Sequence, residues 1–314
     1  LDALEKNKVY AMRSVFALSG GLCFYTIPFL PMFETNEITP ETLKWAVGLM
    51  SLIILPMLFM SIKIVPKSLA DLSQPNNLTV KKSIPGFSIQ HVFRNKPLVT
   101  LLGACVFFNL GFGMWATLLF LFVDSYIGMG EKYALISIIA TICGLLSIKG
   151  WFHLANLWSK KTAWMAGAIM MAVGMFFTGI LSPSKAGLFT LGLCVGLNYI
   201  GLVTLSMIAP SLLSDIADYG SWKFDSDCAG IYFSFFLLIN KTIGSFGGAV
   251  AMGLAGWYGF DPTINIHGET QIQGLRMAIA WIPMVFICVS ILFIREIPIS
   301  ERQHNILRRR LGSR

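Results

Sequence analysis

The sequence contains few charged residues. They make up 13% of its 314 residues, against about 25% in a typical soluble domain, and 55% of the residues are hydrophobic. Long apolar runs recur along the whole chain, and each can cross roughly 30 Å of hydrocarbon as a helix. The short alternating segments of a membrane β-barrel are absent. The composition therefore excludes a soluble domain and predicts an all-α polytopic membrane protein.

The sequence also lacks clustered cysteines and histidines. Its six cysteines are scattered without a CxxC spacing, and its four histidines lie far apart. Neither a disulfide framework nor a zinc site is indicated, and we predict no cofactor and no metal site. The chain starts at Leu1 without a methionine or a signal-peptide pattern, which indicates a chain that has lost its N-terminal part.

Eight apolar segments predict eight transmembrane helices. Their approximate bounds are 9–33, 43–65, 97–123, 133–157, 162–181, 187–213, 229–257 and 274–294. The connection that follows the second segment is the one long loop on its side of the membrane. It is either a plain solvated loop or the linker between two helix bundles.

The linker interpretation divides the chain into four parts. Residues 1–66 end an N-terminal bundle with two transmembrane helices, and residues 67–96 form a cytoplasmic inter-bundle loop. Residues 97–296 form a complete six-helix bundle, and residues 297–314 form a basic cytoplasmic tail.

Basic residues in the connections predict the topology. Eighteen of the 24 lysines and arginines fall on one side of the eight spans, four fall on the other side, and Arg13 and Lys241 lie inside spans. Basic residues accumulate in cytoplasmic loops, so both ends of this chain are predicted to be cytoplasmic. The net charge of +8 is therefore a topology signal and not a sign of nucleic-acid binding.

Lys241 is the most informative residue, because it lies near the middle of the seventh span. A full charge at this depth costs about 2.5–3.5 kcal/mol. The span begins about twelve residues, or about 18 Å, before it, and a side chain that reaches about 6 Å cannot snorkel that far. No acid in the eight spans lies at the same depth. The expected partner is a solute, a water-filled cavity, or an acid on helices outside this chain.

Two acids, Asp215 and Asp218, follow the sixth apolar run, with Tyr219 beside them. Three residues apart, the acids would face one side of a helix end. They could form a cytoplasmic gate by bonding to basic groups or helix N-termini of a neighbouring bundle. They could also bind Mg²⁺ for a diphosphate, as in membrane prenyltransferases, although such a site normally needs a second acid cluster. Solvated charges at the membrane edge are the third interpretation.

Other polar or small residues inside the spans mark further candidates. Arg13 lies about one turn inside the first span and could snorkel to the surface or face a cavity. Asn109 is a polar group in the uncharged third span. Gly244 and Gly248 form a small-xxx-small pair that predicts close helix packing.

The run from Asp215 to Lys223, with Gly230, Ile231 and Lys241 after it, resembles the glycoside–pentoside–hexuronide:cation symporter family, to which the melibiose carrier belongs. The likeness extends over the whole chain, through Tyr10 to Arg13, Asn109, and the Trp-Tyr-Gly-Phe that ends the seventh span.

The resemblance implies a major facilitator fold of twelve helices, of which the eight spans would be helices five to twelve. Arg13 would correspond to an arginine that contacts the sugar, and Lys241 to a lysine close to the sugar and cation sites. Asp215, Asp218 and Tyr219 would belong to the loop that closes the cytoplasmic side. The coupling cation, Na⁺ or H⁺, would find its main ligands on helices two and four, outside this chain.

The sequence departs from the family pattern at two places. Residues 226–230 lack the arginine and glutamate of the family's Gly-x-Arg-x-Glu-Gly motif. Ser206 stands where the melibiose carrier has an aromatic residue. The gate pairing and sugar preference of that carrier therefore do not transfer.

The predicted function is cation-coupled symport of a sugar or glycoside across a bacterial inner membrane by alternating access. Lys241, Arg13 and Asn109 would line the central cavity. The expected partners are the solute, a monovalent cation and the lipid bilayer, with no nucleic acid. Symport of another solute, such as a lysophospholipid, and a membrane-embedded Mg-dependent transferase are the alternatives.

Overall fold

The structure, a computed structural model, describes residues 3–33, 37–64, 93–224, 229–262, 264 and 268–298. All regular elements in these ranges are helical, which confirms the predicted all-α class. The eight long helices are α1 (Ala3–Thr26), α2 (Pro40–Ile64), α3 (Lys96–Leu121), α4 (Tyr133–Leu157), α5 (Lys160–Ile180), α6 (Leu188–Phe224), α7 (Ala229–Trp257) and α8 (Glu269–Arg295).

Seven of these helices, α2 to α8, are long and apolar enough to cross a membrane. Helix α1 is long enough at 24 residues, but it carries Glu5, Lys6, Lys8 and Arg13, so it does not reach the same hydropathy. The polytopic prediction is thus confirmed, and the predicted count of eight apolar spans is supported for seven helices.

Local signals explain several helix ends. Pro97 occupies the first turn of α3, where a missing N–H costs nothing. The Ser159 hydroxyl caps α5 by accepting a hydrogen bond from the backbone N–H of Thr162 at 3.0 Å. Gly259, which follows α7, has a φ of 77° that favours glycine. Within each helix the backbone satisfies its own hydrogen bonds, as a hydrocarbon environment requires.

Helices α3 to α8 form one bundle. Helix α3 packs against α7 and α8, α8 also packs against α5, and α6 packs against α5 and α4. The largest fully buried side chains of this core are Trp115, Trp164 and Tyr232. Helix α1 lies on the outside of the bundle, against α4 and α6.

Helix α2 contacts the 3₁₀ turn Ile27–Phe29 that follows α1, and its apolar side chains are almost all exposed. Two parts of the predicted division of the chain lie outside the described residues. They are residues 67–92 of the predicted linker and residues 299–314 of the predicted tail.

Glycines allow α3 and α7 to approach closely. A Cβ atom added to Gly113 on α3 would collide with the backbone of Gly244 on α7. Added Cβ atoms on Gly247 and Gly248 would meet the carbonyl oxygen of Leu110 and the hydroxyl of Thr117. The two glycines singled out in the sequence thus lie at a helix contact, and Gly113 and Gly247 belong to the same contact.

We expect Gly113→Ala to destabilise the protein by about 1–3 kcal/mol, because the new methyl group must push α3 and α7 apart. Gly253→Ala is the matched control, since a Cβ at this α7 position meets nothing within 4 Å. Unfolding of the two purified variants in detergent, followed by tryptophan fluorescence, measures the difference. Equal stability of the two variants would show that the α3–α7 contact does not depend on this glycine.

Candidate functional site

Helix α1 meets the six-helix bundle through a line of polar side chains. Asn7, Ser14 and Tyr25 are separated by about two and about three helical turns, so they share one face, and Lys6 lies next to Asn7. This face lies against α4 and α6. The contact therefore has polar groups at both ends of α1, with apolar side chains such as Leu18 packed between them.

At one end of this face lies a charge cluster of Lys6, Lys160, Asp215 and Asp218. The Lys6 ammonium donates to Asp215 Oδ1 at 3.2 Å and to Asp218 Oδ2 at 2.6 Å. The Lys160 ammonium donates to Asp215 Oδ2 at 2.5 Å. The Asp215 carboxylate thus joins the start of α1 to the start of α5 and to its own helix, α6.

Three members of the charge cluster are buried. The side chain of Asp215 is 7% exposed, whereas that of Asp218 is 39% exposed. Lys6 and Lys160 are as buried as Asp215. Removing one partner from a buried ion pair leaves a charge without compensation, so Asp215 is the critical residue of the cluster.

The expectation that a loop begins after Leu213 is wrong. Helix α6 continues to Phe224, so Asp215, Asp218 and Tyr219 lie on its last turns. In this extension Lys6 contacts both acids and Lys160 contacts Asp215. Residues 225–228 of the predicted loop lie outside the described residues.

Tyr219 does not share the described contacts of the charge cluster. Its ring lies 6.2 Å from that of Trp222, and the Lys223 ammonium lies 5.8 Å from the centre of the Tyr219 ring. Its predicted part in a gate stays a prediction.

Sequence reasoning missed both lysines of the cluster and counted them only as topology signals. Lys6 is 209 residues from Asp215 along the chain, and Lys160 is 55 residues away. No local pattern links such distant residues.

Beyond the cluster, uncharged polar pairs continue the α1 contact. Asn7 accepts a hydrogen bond from the Ser211 hydroxyl at 2.6 Å and donates one to Asn156 at 2.8 Å. The hydroxyls of Ser14 and Ser206 lie 3.0 Å apart. Ser206 thus faces α1 with a small side chain.

At its other end, α1 meets an aromatic cluster. The hydroxyls of Tyr25 and Tyr199 are 3.3 Å apart, and the Tyr25 ring lies edge-on to Tyr133 with centroids 6.4 Å apart. Helix α1 therefore touches the bundle at both ends in this conformation.

The three residues predicted to line a cavity occupy different settings. Lys241 is exposed on α7 and Arg13 is exposed on α1, and no salt bridge to either occurs among the described residues. Asn109 is 5% exposed and donates to the Cys105 carbonyl at 2.8 Å and to Asn240 Oδ1 at 2.6 Å. No described hydrogen bond or ion pair joins the three, so their shared role with a solute stays a prediction.

Asn109 fastens α3 to α7 through Asn240, which directly precedes Lys241. Sequence reasoning did not single out Asn240. In the described part of the chain, no group of three or more His, Cys, Asp and Glu side chains is placed to hold a metal ion.

The described residues thus form a helical bundle with an ion-paired contact between α1, α5 and α6. The chain belongs to the MFS/sugar transport protein family, whose family model matches residues 2–301. This membership makes it a transporter-family protein and not an enzyme, as predicted.

Two curated symporters are similar to part of this chain. An uncharacterised symporter of Synechocystis sp. is 22% identical over 229 residues, which are 71% of this chain and 42% of that protein. An uncharacterised symporter of Bacillus subtilis is 23% identical over 211 residues, which are 67% of this chain and 45% of that protein. The chain therefore spans less than half the length of these two relatives.

We expect Asp215→Asn to destabilise the protein by about 3–5 kcal/mol, because it removes the carboxylate that both buried lysines contact. Asp218→Asn is the matched control. Its side chain is partly exposed, so its loss costs about 1 kcal/mol or less. Denaturant unfolding of both variants measures the two costs, and similar values would contradict the central position of Asp215.

Proposed function

We propose that this chain is part of a symporter that couples the movement of a monovalent cation, Na⁺ or H⁺, to that of a sugar or glycoside. The family description supports sugar transport, and the printed names of both relatives support symport. The resemblance to the glycoside–pentoside–hexuronide:cation symporters supports the finer assignment. The charge cluster between α1 and the six-helix bundle is the observation that carries the mechanism.

The charge cluster acts as a gate at one end of the protein. Transport by alternating access requires α1 to separate from α5 and α6 at this end. A buried ion pair contributes little net stability, because the cost of removing both charges from water offsets their attraction. When the gate opens, water solvates Lys6, Lys160 and Asp215 again. The closed and open states can therefore have similar free energies.

Farther inside the membrane, the polar pairs along α1 can also exchange their bonds within the protein for bonds to water. Asn7, Ser14 and their partners can each replace a protein hydrogen bond by one to water when the helices part. An apolar contact would instead lose about 25 cal/mol for each Å² exposed. The α1 face is thus suited to line a wet pathway.

Lys241 and Arg13 supply the positive groups of the solute and coupling site. Lys241 is exposed on α7 and Arg13 on α1, where helices from outside this chain can meet them. Asn109 supports the site by bonding to Asn240 and so fixing the stretch of α7 that carries Lys241. The acids that bind the coupling cation lie on helices outside this chain and face Lys241.

The distribution of basic residues puts the charge cluster at the cytoplasmic end. Both relatives are bacterial, which supports a bacterial inner membrane as the location. The charge cluster then closes the cytoplasmic side, and the Tyr25–Tyr199 contact lies toward the outside.

In the intact protein, we expect Lys241→Met to reduce uphill accumulation of solute sharply while exchange of solute survives. The reason is that a partner acid without its lysine tends to bind a proton and no longer responds to the cation gradient. Uptake and exchange of radiolabelled sugar in membrane vesicles separate the two activities. Lys185→Met, in an exposed turn, is the control and should leave both unchanged. Accumulation at the wild-type level in Lys241→Met would refute the assignment of this site.

A further inference from the structure

We propose that the end of the bundle opposite the charge cluster binds the headgroup of an anionic phospholipid between α5 and α8. A cavity of about 400 Å³ lies there, and we call it the headgroup site. Its lining residues are Gly179, Ile180, Gln273, Arg276, Met277 and Trp281.

Arg276 brings an unmatched positive charge to the headgroup site. Its Nη2 donates to the Tyr126 hydroxyl at 2.6 Å and to the Leu181 carbonyl at 3.0 Å, and both acceptors are neutral. The buried Nε has no hydrogen-bond partner, and no carboxylate among the described residues forms a salt bridge with Arg276. The guanidinium is thus fixed in place while its charge stays available to an anion.

Two π-helical turns hold the arginine and its partner. The turn Phe122–Tyr126 presents Tyr126 at the end of α3, and the turn Met277–Trp281 begins directly after Arg276. Such turns are rare and occur often at functional sites. Here they set the geometry of the Arg276–Tyr126 contact.

The ring of Trp281 lines one side of the headgroup site. Its ring lies edge-on to Phe176 at a centroid distance of 5.7 Å. Gly179 allows the ring to come close, since a Cβ at this position would lie 2.9 Å from Trp281. Tryptophan is enriched at the level of lipid headgroups, which is consistent with a site at the membrane boundary.

The surroundings favour a lipid over a soluble anion. Ile180 and Met277, which border the cavity, are 49% and 43% exposed, so they offer an apolar surface to an acyl chain. The contact of Arg276 with Tyr126 and Leu181, at the ends of α3 and α5, puts the charge at headgroup depth. Both Nη2 hydrogens are used in the bonds to Tyr126 and Leu181 and the Nε atom is buried, so a phosphate would bond to the Nη1 group. Gln273 adds an amide group.

The test is a thermal-shift titration of the intact protein in detergent with phosphatidylglycerol. We expect this lipid to raise the unfolding temperature at lower concentrations than the zwitterionic phosphatidylcholine. Water-soluble glycerol phosphate should give no comparable shift. A shift of equal size with glycerol phosphate would overturn the lipid assignment, and equal affinity for phosphatidylcholine would overturn the role of charge.

Single substitutions test whether phosphatidylglycerol binds at the headgroup site. Arg276→Gln should weaken phosphatidylglycerol binding about tenfold, because charge-assisted hydrogen bonds to phosphate are among the strongest in proteins. Lys185→Gln removes one exposed charge at the same end of the bundle and should bind like wild type.

Gln273→Ala leaves the contacts of Arg276 with Tyr126 and Leu181 intact. It should weaken binding several-fold, and it decides the question if Arg276→Gln does not fold. Unchanged binding in Gln273→Ala, or equal weakening in Lys185→Gln, would refute the site.

Discussion

The arrangement of α1 depends on the carboxylate of Asp215, which bonds to two lysines from two other helices. It fixes the start of α1 against α5 and α6. The uncharged polar pairs farther along α1 are aligned by the same contact. Because the cluster is ionic, water can replace each of its bonds. An aliphatic contact would lack this property.

The α3–α7 contact has the opposite character. Gly113 against Gly244, and Gly247 against Leu110, bring the two backbones together without intervening side chains. The Asn109–Asn240 hydrogen bond adds a directional link within the same contact. Such close packing cannot slide without collisions. The α3–α7 contact is therefore rigid, whereas the polar bonds of α1 can be exchanged for bonds to water.

The sequence was sufficient for features that depend on composition or local spacing. Apolar runs predicted the helices, and the spacing of Asp215 and Asp218 predicted that they share a helix face. The predicted end of the sixth helix at residue 213 was wrong, because an apolar run marks the part of a helix that can lie in hydrocarbon and not the end of the helix, which continues to Phe224. Lys6 and Lys160 carry no local signal that separates them from other basic residues near membrane ends. Gly113 was missed for the same reason, since its role appears only when α7 lies against it.

The most direct test of the proposed gate is the distance between the ends of α1 and α6 that carry the charge cluster. Spin labels at the exposed positions Lys8 and Lys223, in the intact protein without its native cysteines, report this distance. In the wild-type protein we expect a population of molecules in which the two labels are as close together as the closed charge cluster requires. In Asp215→Asn, the population should move to longer distances, because both lysines lose the buried Asp215 carboxylate and Lys6 keeps only the partly exposed Asp218. The same distance distribution in both proteins would contradict a gate held by Asp215.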